Sequence, residues 1–328
     1  MTPHSGSAAR PSRLKVVLAF AAVYIIWGST YLGIRYAIET LPPFLMAGAR
    51  FSLAGVIMFA WAKLRRDDGG WSWPQWRRAF LIGALLLLCG NGGVTWAEKY
   101  IASSLAALLV ATEPLFVVML NWAITRKRPN AKVLLGLLVG LAGVGLLVSA
   151  GLNYGREVSA MSLVGAGVVL LAGVAWAGGS VYVNRRPIKT ATSLAAGMEM
   201  LAGGSLLLLF GLIVGDFKRL NLGAASWVSL AAFAYLAVFG ALAFTAYSWL
   251  LRNVSPARAA TYAYVNPAVA VLLGWLFASE PLTLRMLAAA ALIVGSVALI
   301  TTYGSEHAAA PAAQPELHDS ECPVPPCA

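Results

Sequence analysis

The sequence predicts an all-α polytopic membrane protein of ten transmembrane helices that form two related five-helix halves. The first observation is composition: of 328 residues, 59% are apolar and only 11% are charged, against about a quarter charged in a soluble domain. The second is a series of ten apolar stretches, each near the roughly 20 residues that cross a bilayer. The third is the recurrence of rare residues at a nearly constant spacing. A water-soluble globular protein is therefore excluded.

The apolar stretches are separated by short segments in which Pro, Gly and charged residues concentrate. Pro is tolerated in the first turn of a helix, because the backbone N–H that it lacks has no partner there, so these segments favour helix boundaries. The predicted spans are 14–34, 44–62, 76–97, 102–125, 131–149, 161–183, 193–214, 225–250, 257–278 and 282–303.

The first stretch follows a basic start at Arg10, Arg13 and Lys15, as a secretory signal peptide would. However, only a few apolar residues precede the small-residue triplet at 19–21, and the apolar run continues through Ile34. A signal peptide has a longer apolar region before its cleavage site. We therefore interpret this stretch as the first span.

Both tails, residues 1–13 and 304–328, are predicted to be disordered, because they are rich in small and polar residues and Pro. The tails contain all three His, and the second contains Cys322 and Cys327. For these two Cys an incidental occurrence is favoured over a metal site or a disulfide. No cofactor and no His-based metal or catalytic site is expected in the body of the protein.

The formal net charge of +11 is explained by membrane orientation. If the N-terminus is cytoplasmic, 17 of the 24 Lys and Arg residues fall in inner segments and six in outer segments. Cytoplasmic loops carry such an excess. The sequence thus predicts a multi-pass protein of the bacterial cytoplasmic (inner) membrane with both termini in the cytoplasm. A nucleic-acid partner is not needed to explain the charge.

Self-similarity indicates an internal duplication, with repeats at 14–149 and 150–303. The matched pairs are Trp27 with Trp176 at a spacing of 149, and Trp96 with Trp249, Pro114 with Pro267 and Trp122 with Trp275 at a spacing of 153. Because five spans are an odd number, the second copy must cross the membrane in the opposite sense. Such an inverted repeat is the usual construction of alternating-access carriers.

The span count, the repeat and two short motifs together resemble the EamA-type branch of the drug/metabolite transporter superfamily, and within it the YddG-like bacterial amino-acid and metabolite exporters. The motifs are Trp27-Gly28-Ser29 and Glu113-Pro114, and the resemblance covers residues 14–303. It implies a carrier in the cytoplasmic membrane, often an exporter, with a substrate cavity between the halves. It does not define the substrate.

Glu113 is the most conspicuous residue at membrane depth. An ionisable side chain there costs at least ~2.5–3.5 kcal/mol on insertion scales. Pro114 follows it, and Pro267 occupies the equivalent position with Asn266 before it. Each Pro frees a carbonyl and should kink its helix. We favour Glu113 as a cavity residue and the carrier of any coupling proton, while a purely structural role stays open.

Five pairs of polar or aromatic residues, each four residues apart and so on one helix face, are further candidates for the cavity. Such side chains suit an amphipathic organic molecule better than an inorganic ion. The alternatives are interfacial anchoring for the aromatic residues and helix packing for the Gly-rich surroundings of the third span. The pairs are Trp27 and Tyr31, Asn91 and Thr95, Trp176 and Ser180, Phe244 and Ser248, and Tyr262 and Asn266.

Arg50 and Glu199 lie at matched positions, 149 residues apart, about one and a half turns into the second and seventh spans. Arg50 could therefore reach the surface with its long side chain. We favour anchoring, or contacts between the halves, over substrate binding for both residues.

The function predicted is a secondary transporter that exports small organic metabolites, with amino acids favoured, by alternating access. A multidrug or nucleotide-precursor carrier is the alternative within the superfamily, and a passive channel is the alternative outside it. No ATP-binding loop motif occurs, so no ATPase activity or subunit is implied. An enzyme is disfavoured, because the spans contain neither His nor paired carboxylates.

Overall fold

The computed structural model describes residues 12–65, 72–126, 128–151, 159–254, 259, 262–280 and 282–304. The predicted tails therefore lie almost wholly outside the described residues. Helices occur at all ten predicted positions. They are α1 Arg13–Ala37, α2 Pro43–Leu64, α3 Trp73–Ala97, α4 Ser103–Thr125, α5 Ala131–Gly151, α6 Ala160–Arg185, α7 Thr192–Ile213, α8 Trp227–Asn253, α9 Tyr262–Ala278 and α10 Leu284–Gly304.

Seven of these helices, α1 to α4 and α6 to α8, are long and apolar enough to cross a membrane. The apolar segments in α5, α9 and α10 are shorter, at Ala131–Gly143, Val265–Ala278 and Leu284–Ile300. The all-helical class is confirmed for the described residues, which contain no strand. That all ten helices cross the membrane stays a prediction.

Local chemistry explains several helix ends. Pro43 occupies the first position of α2, and Ser72 forms a capping box with Gln75 at the start of α3. At the other ends, Arg126 after α4 and Ser279 after α9 adopt left-handed backbone conformations, with φ of 57° and 51°. These two caps are 153 residues apart, which is the spacing that relates the repeats.

Three helices contain π-helical segments, at Ala22–Trp27 in α1, Gly83–Asn91 in α3 and Leu236–Gly240 in α8. Such widened turns often occur at functional sites. Those in α3 and α8 begin 153 residues apart, so the local irregularity follows the repeat as well.

The two expected Pro kinks differ. Helix α4 is interrupted by a turn at Ala111 and Thr112, directly before Glu113 and Pro114. Glu113 then begins a new helical segment with Pro114 at its second position, where the missing N–H costs nothing. Pro267, in contrast, lies inside α9, which remains continuous around it.

The most extensive packing joins early helices to late ones. Helix α2 packs on α7, and α5 packs on α10. Helices α3 and α4 pack on α6, while α8 and α9 pack on α1. At the α2–α7 contact the backbones approach closely: a Cβ at Gly55 would lie 2.7 Å from the backbone nitrogen of Leu201, and one at Gly204 would lie 2.6 Å from that of Ser52.

Hydrogen bonds between distant loops define two ends of the bundle. At one end, which we call the Glu98 end, Phe44 donates to Asp216 at 3.0 Å, and Ser103 donates its backbone N–H to Glu280 at 2.8 Å. At the other, the Arg252 end, Arg252 donates to the carbonyl of Thr190 at 3.1 Å. Arg78 and Gln75 also donate to main-chain carbonyls of the α6–α7 loop there.

Candidate substrate cavity

A cavity of about 740 Å³, including its opening, lies between the two sets of helices. Residues of α1, α2, α3, α4, α6, α8 and α9 line it. Eight of the residues singled out from the sequence are among them: Trp27, Tyr31, Asn91, Glu113, Trp176, Phe244, Tyr262 and Asn266. Thr95, Ser180 and Ser248 are not among the lining residues.

An aromatic cluster of Trp27, Trp176, Tyr247 and Tyr262 lies at the side of the cavity that faces the Arg252 end. Neighbouring ring centroids in this cluster are between 4.8 and 6.0 Å apart. Ser180 lies behind the cluster, where its hydroxyl group is 3.1 Å from that of Tyr247. Tyr247 was not expected from the sequence, because it lies off the face that contains Phe244 and Ser248.

The buried carboxylate of Glu113 accepts a hydrogen bond from the hydroxyl of Tyr262. The contact joins α4 to α9, which the duplication relates to each other. Close by in the lining, Asn266 Oδ1 has no hydrogen-bond partner among the described residues. One acceptor is therefore free for a bound molecule.

Arg50 departs most from what was expected. The prediction that Arg50 anchors at the surface is wrong, because its side chain is buried, 3% exposed, and lines the cavity. Its guanidinium donates to Asn91 Oδ1 at 2.5 Å and lies 4.5 Å from the ring centroid of Phe51. An Arg within an apolar span was a visible signal, but the sequence does not show which way the side chain points.

Thr95 and Ser248 support other polar side chains. Thr95 donates to the same Asn91 Oδ1 at 3.3 Å, so it orients the amide from behind. Ser248 donates to Glu199 at 3.3 Å, away from the cavity lining. Both residues were predicted to line the cavity, and both instead lie behind its lining.

The cavity can hold a molecule with an anionic group, a cationic or donor group and an apolar body. Arg50 supplies a positive charge, Glu113 and Asn266 supply oxygen acceptors, and the aromatic cluster supplies apolar and π surface. Within the described residues, no group of three or more His, Cys, Asp or Glu could hold a metal ion.

Comparisons with known proteins agree with this architecture. The model of the EamA-like transporter family matches residues 14–149 and 163–302. The chain is 40% identical over 307 residues to the "Uncharacterized inner membrane transporter YedA" of Escherichia coli K12, with 92% of this chain and 95% of the relative covered. It is 26% identical over 305 residues to the "Uncharacterized transporter YvbV" of Bacillus subtilis, with 91% and 95% covered.

A solved structure titled "Crystal structure of protein" has the same fold. Its TM-score is 0.65 at 22% sequence identity, with 90% of this chain and 99% of the other covered.

Proposed function

Because the chain belongs to the EamA-like transporter family, and is a multi-pass transporter of the inner membrane, we propose that it exports small organic metabolites, amino acids in particular. In this proposal the substrate binds in the central cavity, which opens alternately to each side of the membrane. No ATPase subunit takes part.

The observation that carries the proposal is the placement of Arg50 in a cavity that also holds Glu113, Asn266 and the aromatic cluster. The carboxylate of an amino acid would pair with the guanidinium of Arg50. Its ammonium group would donate to Asn266 Oδ1 and the carboxylate of Glu113, and its side chain would pack on the aromatic cluster.

We further propose that residues 14–149 and 150–303 form an inverted repeat of five spans each. Such a repeat relates α1 to α6, α3 to α8 and α4 to α9. The packing of α3 and α4 on α6 therefore has its counterpart in the packing of α8 and α9 on α1. Exchanging the halves leaves the α2–α7 and α5–α10 contacts unchanged. Close-packed Gly48 and Gly55 of α2 match Gly197 and Gly204 of α7 at the spacing of 149. These correspondences support alternating access.

In the proposed orientation the Arg252 end and both termini face the cytoplasm. The loops and helix ends there contain most of the Lys and Arg residues, and cytoplasmic segments are enriched in these residues. All ten helices would cross the membrane, and the Glu98 end would face outward.

Transport by purified protein in liposomes tests the substrate class. Liposomes preloaded with unlabelled amino acids should accumulate labelled amino acids by counterflow, with saturation, because a carrier exchanges substrate through one site. Flux that rises linearly without saturation would instead support a channel. No flux of any amino acid would reject this substrate class, and the same assay with nucleotide precursors or cationic drugs addresses the alternative carriers.

Glu113→Gln tests proton coupling at the cavity. We expect the variant to impair the pH dependence of transport, since Gln keeps the shape and a hydrogen bond to Tyr262 but cannot exchange a proton. The exposed Glu39→Gln is the matched control. An unchanged rate and pH profile in Glu113→Gln would reduce Glu113 to a structural role.

A further inference from the structure

Glu98, the residue after α3, is a buried acid without a hydrogen-bond partner among the described residues. Its exposed fraction is 0%, and neither carboxylate oxygen has a hydrogen-bond partner among the described residues. The other buried acids at this end are satisfied: Asp216 accepts from Phe44, and Glu280 accepts from Ser103 and Ser104 at the start of α4. A buried ionised carboxylate without hydrogen-bond partners is strongly unfavourable, so these surroundings favour the neutral acid.

Charged groups from each neighbouring element face Glu98. Arg35 of α1 donates to its main-chain carbonyl at 3.2 Å rather than to its carboxylate. Arg50 of α2, Tyr31 of α1 and Glu280 of the α9–α10 connection interact with the Glu98 carboxyl group electrostatically. Burial raises the pKa of Glu98 well above the ordinary Glu value, Glu280 raises it further, and the two Arg residues act in the opposite direction.

The position of Glu98 connects it to the cavity. Asn91, Thr95 and Glu98 succeed each other by four and three residues, so Glu98, which caps the end of α3, follows Asn91 and Thr95 on the same side of the helix. Asn91 lines the cavity and holds Arg50. Arg50 thus has two possible partners: Asn91, which it binds here, and the Glu98 carboxylate.

The chemistry of the surroundings favours a proton over a metal cation as the ligand of Glu98. A metal cation needs several oxygen ligands, but the neighbouring carboxylate of Glu280 is already occupied by three donors from Ser103 and Ser104. The two guanidinium groups would also repel a metal cation. A proton needs only one carboxylate oxygen.

We propose that Glu98 is a proton-binding site of the transport cycle, additional to Glu113, and that its protonation decides whether Arg50 pairs with Asn91 or with Glu98. The inference rests on the proposed transport function. The carboxylate takes one proton from water at the Glu98 end and becomes a neutral acid, which leaves Arg50 on Asn91. When the acid returns the proton to water, the resulting carboxylate attracts the Arg50 guanidinium away from the cavity.

Infrared difference spectroscopy of the purified full-length protein, between acidic and alkaline buffer, measures the protonated carboxyl groups directly. Glu98→Gln should lose part of the protonated-carboxyl signal, while the exposed Glu39→Gln, at the same end of the bundle, should keep it in full. A signal unchanged in Glu98→Gln would overturn the proposal. Should that variant fail to fold, Glu98→Asp should shift the midpoint of the signal, and an unchanged midpoint would overturn the proposal equally.

Counterflow of labelled amino acids at acidic and alkaline pH tests the functional part. Wild-type rates should differ between the two conditions by about tenfold, which is within the usual range when one bound ligand affects the binding of another. Glu98→Gln should reduce the difference to less than about twofold. A wild-type protein without counterflow would contradict the proposed function. If the wild type transports and Glu98→Gln keeps its pH response, only this inference is contradicted. The same holds if Glu98→Gln has lost exchange at every pH.

Discussion

Each end of the helix bundle contains a pair of one cationic and one acidic residue. The repeat-related helices α2 and α7 carry the cation at one end and the acid at the other. At the Glu98 end, the cation Arg50 lies on α2 and the acid Glu98 follows α3. At the Arg252 end, the acid Glu199 lies on α7, and the cation Arg252 lies near the end of α8. Arg50 and Glu199 are equivalent by the repeat, and each interacts electrostatically with the opposite charge at its own end.

The two pairs differ in what they face. Arg50 lines the cavity, whereas Glu199 is bonded to Ser248 and lies outside the lining. Towards the Glu98 end the lining extends to Ile34 and Val94, while at the opposite side it stops at the aromatic cluster. Equivalent positions can thus serve different roles, because the cavity lining extends farther towards the Glu98 end than towards the Arg252 end.

The largest effect is expected where the helices that carry Arg50 and Glu199 meet. Gly204→Val should destabilise the protein by about 3 kcal/mol or more, because the new side chain would meet the backbone of Ser52. Gly178→Val is the control, since a Cβ there meets nothing within 4 Å. Thermal unfolding in detergent measures both variants, and equal stabilities would contradict the close α2–α7 contact.

Exchanging each of the two equivalent charges for Gln separates their roles. Arg50→Gln should weaken amino-acid binding by about 100-fold, because truncating one member of a buried charge pair costs about 2–5 kcal/mol. Glu199→Gln should leave affinity within about threefold of wild type. Equilibrium binding of a labelled amino acid measures both. Equal losses would show that the two ends contribute alike to the site.

The dependence of stability on pH tests the buried acid of the Glu98 end. Because burial raises the pKa of Glu98, the folded protein binds the proton more tightly than the unfolded chain. The resulting stabilisation is complete below the ordinary Glu pKa, and it decreases by up to about 1.4 kcal/mol per pH unit as the pH rises towards the raised pKa. Thermal unfolding against pH should show this decrease in wild type. A curve of unchanged slope in Glu98→Gln would argue against the buried acid.

The smallest effect concerns the aromatic cluster that separates the cavity from the Arg252 end. Tyr247→Phe removes the hydroxyl that contacts Ser180 and should cost about 1 kcal/mol of stability, with transport retained. The exposed surface variant Trp73→Phe is the control. A loss of transport in Tyr247→Phe would show that the cluster handles substrate rather than only closing the cavity.

Much of the fold could be predicted from sequence, since hydropathy and Pro placement act locally. Helix α2, for instance, begins at Pro43 against a predicted start at 44, whereas α3 begins at Trp73 rather than 76 because Ser72 caps it. For the cavity, the sequence identified the polar and aromatic residues at membrane depth. It could not indicate the direction of Arg50, nor that Glu98 would be covered, because both depend on how distant helices pack.

The sequence by itself determined the positions of the helices, the matched spacings of 149 and 153 and the shortage of charge at membrane depth, because these properties belong to single segments or to their repetition. Only the tertiary structure decided which buried polar groups meet. Tyr262 meets Glu113 across 149 residues, and Ser103 meets Glu280 across 177. Such partners are chosen by packing in three dimensions, so the same acid can be bonded, as Glu280 is, or left to bind a proton, as we propose for Glu98.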